Sequence, residues 1–215
     1  MPDTDTPAVA ACYEEIMKQS MSLARTTGHF HAVRFYENDE SLCRIVAEFL
    51  GEGLVVGQPA LVVATPEQRT GIMKELRARH IDIDHIQAAG DLLLLDARDA
   101  LSSFMVDGLP DATRFFTSMT ATINRACRGR TDCKIRVYGQ MVDLLWKDGL
   151  TVAAIRLEIF WNRLAMTRDF SLVCGYAMGN FYKDAQVEDI CRYHSHGIAS
   201  DGVPAPIRLE RATIN

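Results

Sequence analysis

Five short runs of this chain are apolar along most of their length. They are HAVRFYE (31–37), ALVVA (60–64), DLLLLDA (91–97), IRVYG (135–139) and FSLVCGY (170–176). Runs of this kind suit strands covered on both faces. The segments between them show apolar residues at three- and four-residue steps instead. Leu42, Ile45, Val46, Phe49 and Leu50 form one such stripe, ended by Gly51, Gly53 and Gly57. Ile72, Met73 and Leu76 form another, and Phe115, Phe116, Met119 and Ile123 a third. Strand alternating with helix predicts an α/β fold, with a predominantly parallel central sheet flanked by helices and right-handed crossovers.

The 215 residues, 48% of them hydrophobic, suffice for one sizeable core. Residues 1–28 read as an N-terminal helical extension, with Cys12, Tyr13, Ile16, Met17 and Ala24 near one face and Gly28 as its end. That extension either packs on the core or serves in docking. Residues 29–200 read as the main domain, with a last short helix over Val187 to His196. Residues 201–215 carry two prolines and little periodicity, and read as a tail.

A formal charge of -5 without a long basic run argues against gripping nucleic acid. The absence of a long apolar window and of a secretory signal gives the expectation of a cytoplasmic protein that does not meet the membrane. The six cysteines do not form the spacing of a small disulfide scaffold. They read as small buried hydrophobes, Cys174 above all, with redox sensing through Cys133 or Cys191 as the minor alternative.

Sheets of this class often bind nucleotides beyond the carboxyl ends of their strands. Here the first strand is followed by YENDESLCR, without the glycine-rich loop and Lys-Ser/Thr ending of a phosphate cradle. Glu37, Asp39 and Glu40 would repel phosphate, and Asn38 or Asp39 suits a helix cap. Thr65, Pro66 and Gln68 read as a capping box. Asp96, at a strand end, could hold magnesium or cap a turn, and the cap is the simpler reading. Cys191, His194 and His196 carry zinc-binding atoms, with His29 and His31 as remote partners, but no second well-spaced ligand pair appears. No nucleophile elbow is present. The expectation is a non-catalytic chain with no cofactor and no metal, with a divergent nucleotide-binding enzyme or a ligand-free protein adaptor as the alternatives.

The stretch from Ile135 to Leu164 poses a sharper question. On a helical wheel of about 100° per residue, Glu158 and Asn162 lie about 40° apart, bracketed by Ile155, Ile159, Trp161 and Ala165. Arg156 and Arg163 share a separate, wet face. A buried carboxylate must find donors, shift its pKa or meet a cation. Arg136 and Gln140 are its candidate partners. Gly139 would allow a sharp turn, and Trp146 and Trp161 could wall a pocket or fill the core. The two readings are a polar bolt joining helices to sheet, and a sensing site that includes the bolt.

These residues carry a resemblance to the MEDS family, a sensory domain named for methanogens, methylotrophs and a dichloromethane-responsive regulator. It spans roughly His29 to Gly197 through HAVRFYENDE, DLLLLDARDALSSFMVDGLPDATRFF, IRVYGQMVDLLWKDG, AIRLEIFWNRL, FSLVCGY and CRYHS. The resemblance implies a RecA-like or circadian-clock-ATPase-like fold of bacterial or archaeal origin, with its phosphate loop lost, and a role in signal reception. It implies Arg136, Gly139, Gln140, Trp146, Glu158, Trp161, Asn162, Cys174 and His194 as signature residues. Glutamine stands at position 140, where the family pattern more usually has glutamate. That exchange weakens any carboxylate-dependent role there. The chain carries no histidine-kinase motif and no helix-turn-helix. The resemblance therefore implies a histidine kinase or transcriptional regulator acting in trans, with a small-molecule ligand and a homodimer as further expectations.

Overall fold

The computed structural model describes residues 30–180, 184–199 and 202–207. The expected N-terminal helix lies outside the described residues. All five predicted strands form: β1 (His31–Tyr36), β2 (Ala60–Ala64), β3 (Leu92–Asp96), β6 (Ile135–Gly139) and β7 (Phe170–Ala177). They pair in parallel in the order β3-β2-β6-β7-β1. Two short strands extend the β1 edge: β8 (His196–Ile198), parallel to β1, and β9 (Pro204–Pro206), antiparallel to β8. The mostly parallel α/β architecture agrees with the sequence reading. The strand order does not conflict with a RecA-like description.

Helices α1 (Asp39–Val55), α2 (Pro66–Ala78) and α3 (Ile83–Ala89) cover one face. The other face is covered by α4 (Ala97–Phe104), α5 (Ala112–Cys127), α6 (Met141–Lys147), α7 (Thr151–Ala165) and α8 (Asp184–Cys191). Strand alternation sorts the side chains. Val33, Val137, Leu172, Cys174 and Tyr176 face the α7 side. Ala32, Tyr138 and Val173 face the α1 side. Asn38 caps α1 as expected, its Oδ1 accepting from the Ser41 amide at 2.8 Å. Asp96 caps α4, accepting from the Arg98 and Asp99 amides.

Several local expectations need correction. Helix α1 runs through Gly51 and Gly53 instead of stopping there. A Cβ on Gly53 would lie 2.6 Å from Arg136 Cγ, so this glycine is where helix and strand side chain approach closely. Thr65 makes no side-chain cap to α2, and the reciprocal half of the box is also absent: the Thr65 amide donates to Gln140 Oε1, while Gln68 is drawn into another network. The last helix ends at Cys191 rather than His196. The chain then straightens and pairs with the open edge of β1, which supplies backbone partners that a continuing helix would not reach. Part of the expected tail is strand β9, which pairs with β8.

A hairpin of β4 (Met105–Val106) and β5 (Leu109–Pro110) was not anticipated. Its turn, Asp107-Gly108, has positive φ at both residues, and the dipeptide is a recognised hairpin signal. Cys127 and Cys133 form a disulfide, whereas buried free thiols were expected; Cys43 and Cys174 are buried and free.

Candidate functional site

Glu158 is 1% exposed and Asn162 is 9% exposed on α7, facing the sheet. Their partners are not the expected ones. Arg136 faces the α1 side of the sheet, because it alternates with Val137. Its guanidinium lies over the Phe49 ring and donates to Phe49 O at 2.9 Å, Glu52 at 3.1 Å and Gln58 at 3.1 Å. There it lines a groove of about 380 Å³ with Phe30, Phe49, Lys134 and Ile198. Gln140 sits at the carboxyl end of β6, where its Oε1 accepts from the Thr65 amide at 2.8 Å. Gly139 has ordinary backbone, so its turn does not depend on glycine. Trp161 fills the core between Phe115 and Phe170. Trp146 packs its edge on Tyr176, beside Glu158.

What surrounds Glu158 comes from three other elements. His31 opens β1, Cys174 and Tyr176 lie on β7, and His194 follows α8. In the β1–β7 register, Val33 pairs with Cys174 and Phe35 with Tyr176, so these side chains share a face. Glu158 Oε1 accepts from the Tyr176 hydroxyl at 2.7 Å and lies 3.4 Å from His194 Nε2. Its Oε2 lies 3.2 Å from His31 Nε2 and 3.6 Å from Cys174 Sγ. His31 Nε2 is 3.4 Å from the same sulfur. The four residues His31, Glu158, Cys174 and His194 are all buried, with ligand atoms within 4.8 Å of one another.

The outer ring nitrogens are fixed by acceptors. His194 Nδ1 donates to the Ile190 carbonyl at 2.8 Å. Asn162 Nδ2 donates to the Tyr193 carbonyl at 2.9 Å, which leaves its Oδ1 to accept from His31 Nδ1 at 2.9 Å. Both rings therefore point Nε2 inward. His194 Nε2 is buried without a hydrogen-bond partner.

Burial opposes ionisation of Glu158, but His194, His31 and the Tyr176 hydroxyl outweigh it and hold the carboxyl down at about 2. Burial lowers His194 to about 4 against the attraction of Glu158. Burial and then the Glu158 carboxylate push the Cys174 thiol well above its ordinary value.

A second buried network lies at the carboxyl ends of the strands. Tyr138 donates to Gln68 Oε1 at 2.7 Å, and Gln68 Nε2 reaches Tyr36 at 3.1 Å and Asp39 at 2.8 Å. Tyr36 donates to Asp143 Oδ2 at 3.0 Å, and the Ala177 amide donates to Oδ1 at 2.9 Å. A Cβ on Gly175 would lie 2.8 Å from the Tyr138 hydroxyl, so glycine there makes room for it. This network stands where the class commonly binds phosphate, and it places two carboxylates there.

Of the sequence candidates the structure brings together Glu158, Asn162 and His194, with His31, which the sequence offered only as a remote partner of His194 in a zinc reading; Tyr176 and Asp143 had no part in that reading. The sequence carried Cys174 only as a buried small residue and as a family signature position. Cys191 lies outside the cluster, and the His196 ring packs on Phe30.

The mostly parallel sheet, with its buried polar cluster on one face, defines an α/β domain. A family description, the methanogen/methylotroph, DcmR sensory domain (MEDS), matches residues 30–195, and the chain belongs to this family. MEDS is a sensory domain family, which is consistent with a sensory or regulatory role. No curated protein matches the chain.

Proposed function

We propose that the chain is a non-catalytic sensory domain. It binds a small ligand or a partner protein and passes the signal to a separate kinase or regulator. The observation that carries this reading is the way the Glu158 cluster ties helix α7 and strands β1 and β7 to the C-terminal segment. Asn162 holds the Tyr193 carbonyl, Glu158 faces His194, and Ser195 donates from its amide and hydroxyl to the His31 carbonyl.

The groove beside Arg136 supplies an entrance for the signal. Its Phe30 packs against His196, whose Nδ1 lies 2.8 Å from Ser195 Oγ, next to His31 and His194. A ligand that favours one packing of β8 would shift the equilibrium of this segment, and the output surface with it. Arg136, Lys134, Glu48 and Glu52 give the groove polar handles of both signs.

Native mass spectrometry of the full chain purified from its own cells tests the reading. A retained small molecule or partner is expected, lost in Arg136→Ala and altered in affinity in Glu158→Gln. A folded chain that retains neither, or whose bound species is indifferent to both variants, contradicts it.

A further inference from the structure

We infer that His31, Glu158, Cys174 and His194 form a four-coordinate site for a divalent transition-metal ion of the zinc class. The inference stands whether or not the sensory reading does. Four observations support it. The first is the donor set: two imidazoles, a carboxylate and a thiol are the side chains that zinc takes. The second is spacing. Zinc–ligand bonds of about 2.0–2.3 Å around a tetrahedron place neighbouring ligand atoms roughly 3.3–3.8 Å apart. His31 Nε2 to Cys174 Sγ is 3.4 Å and Cys174 Sγ to Glu158 Oε2 is 3.6 Å, whereas His194 Nε2 lies 3.4 Å from the other carboxylate oxygen, Oε1; the four ligand atoms lie within 4.8 Å of one another, so His194 closes in when the ion binds. His31 Nε2 to Glu158 Oε2, at 3.2 Å, needs to open only slightly.

The third observation is the orientation of the rings. Each Nδ1 donates outward, to Asn162 Oδ1 or to the Ile190 carbonyl. This is the arrangement by which metal-binding histidines are aimed and their tautomer set. The fourth is the bare inward nitrogen. His194 Nε2 is buried, lacks a hydrogen-bond partner and faces a carboxylate oxygen. A lone pair aimed at an anion is unfavourable in the protein interior, and a cation between them removes the conflict.

Charge also balances. A divalent ion with one carboxylate and one thiolate is neutral, so the complex is compatible with full burial. Binding breaks the Cys174 S–H bond, forms a metal–sulfur bond and releases one proton to solvent. All four positions are filled by protein, which makes the site a structural or sensing centre and not a hydrolytic one. Its ligands lie far apart in sequence, and His194 belongs to the C-terminal segment. Metal binding would therefore fix that segment to the sheet. This inference replaces the metal-free expectation.

The test is titration of the chelator-treated full chain with Co²⁺, a coloured stand-in for Zn²⁺, beside metal analysis of the protein as purified. The expected result is saturation at one ion per chain, with the visible bands of a tetrahedral ion and a near-ultraviolet thiolate charge-transfer band. Zn²⁺ should abolish both. The charge-transfer band should vanish in Cys174→Ser and persist in Cys12→Ser and Cys191→Ser, and His194→Gln should weaken binding at least about tenfold. If Cys174→Ser does not fold, the band in the wild-type chain and its survival in the other two cysteine variants and in Cys43→Ala still report the ligand. A folded chain without tetrahedral bands, or with a charge-transfer band lost in Cys12→Ser, Cys191→Ser or Cys43→Ala, overturns the inference.

Discussion

The two buried polar networks differ in how their donors and acceptors match. In the Tyr36–Gln68–Tyr138–Asp143 network each named donor meets an acceptor in a continuous chain from Tyr138 to the Ala177 amide. Around Glu158 the donors are also placed, but acceptors are left over. A carboxylate, a thiol and two inward imidazole nitrogens converge, while both ring Nδ1 protons are committed outward. The first arrangement is complete as it stands and acts as a polar bolt at the carboxyl ends of the strands. The second gains from an added cation. Two networks can thus be equally buried and mean different things, and the bookkeeping of hydrogen-bond partners tells them apart.

The largest effect should come from breaking the complete network. Asp143→Ala strands the Tyr36 hydroxyl and the Ala177 amide, and should cost about 3 kcal/mol or more in urea unfolding, with or without added Zn²⁺. A cost that Zn²⁺ repairs would erase the distinction between the two regions.

The Glu158 cluster should respond to metal instead. Zn²⁺ at 100 times its dissociation constant should stabilise the wild-type chain by about 2.7 kcal/mol. The same addition should leave Cys174→Ser and His194→Gln nearly unmoved by thermal unfolding. Equal stabilisation of those variants would place the ion elsewhere.

Acid should separate the regions further. The folded state holds His194 below its ordinary 6.5, to about 4, and Glu158 below 4.5, to about 2. Both shifts favour the unfolded state when protons are taken up. The stability they give is complete above about pH 6.5 and is lost as pH falls through His194 and then Glu158. In the metal-free chain, His194→Gln should flatten the upper part of this decline. A decline unchanged by that substitution would assign it to other groups.

The smallest effect is expected from Tyr176→Phe, which removes one donor to Glu158 and should cost about 1 kcal/mol while keeping the metal ligands. Loss of metal binding in this variant would show that the hydroxyl does more than orient the carboxylate.

The sequence made some of this readable. The mostly apolar runs located every long strand, and the helical wheel showed that Glu158 and Asn162 face the core. Their partners were not readable. His31, Cys174 and His194 meet only because β7 pairs with β1 and the C-terminal segment returns to the β1 edge, and strand order leaves no local mark on residues. Arg136 was assigned to Glu158 because the two are near in sequence. Strand alternation places it on the opposite face, against Phe49. Gln68 resembled a cap because its spacing fits one, yet tertiary contacts with Tyr138 and Asp39 draw its side chain elsewhere. The short strands β8 and β9 lack an apolar run, since they lie at an edge.

Nitrogen-15 NMR of the histidine rings in the metal-free full chain addresses the donor shortage around Glu158 most directly. His194 should carry its proton on Nδ1 with Nε2 bare at neutral pH, and Nε2 should shift when Zn²⁺ is added. A proton found on His194 Nε2, with no response to Zn²⁺, would show that the cluster is already closed by an ion pair and would contradict the account.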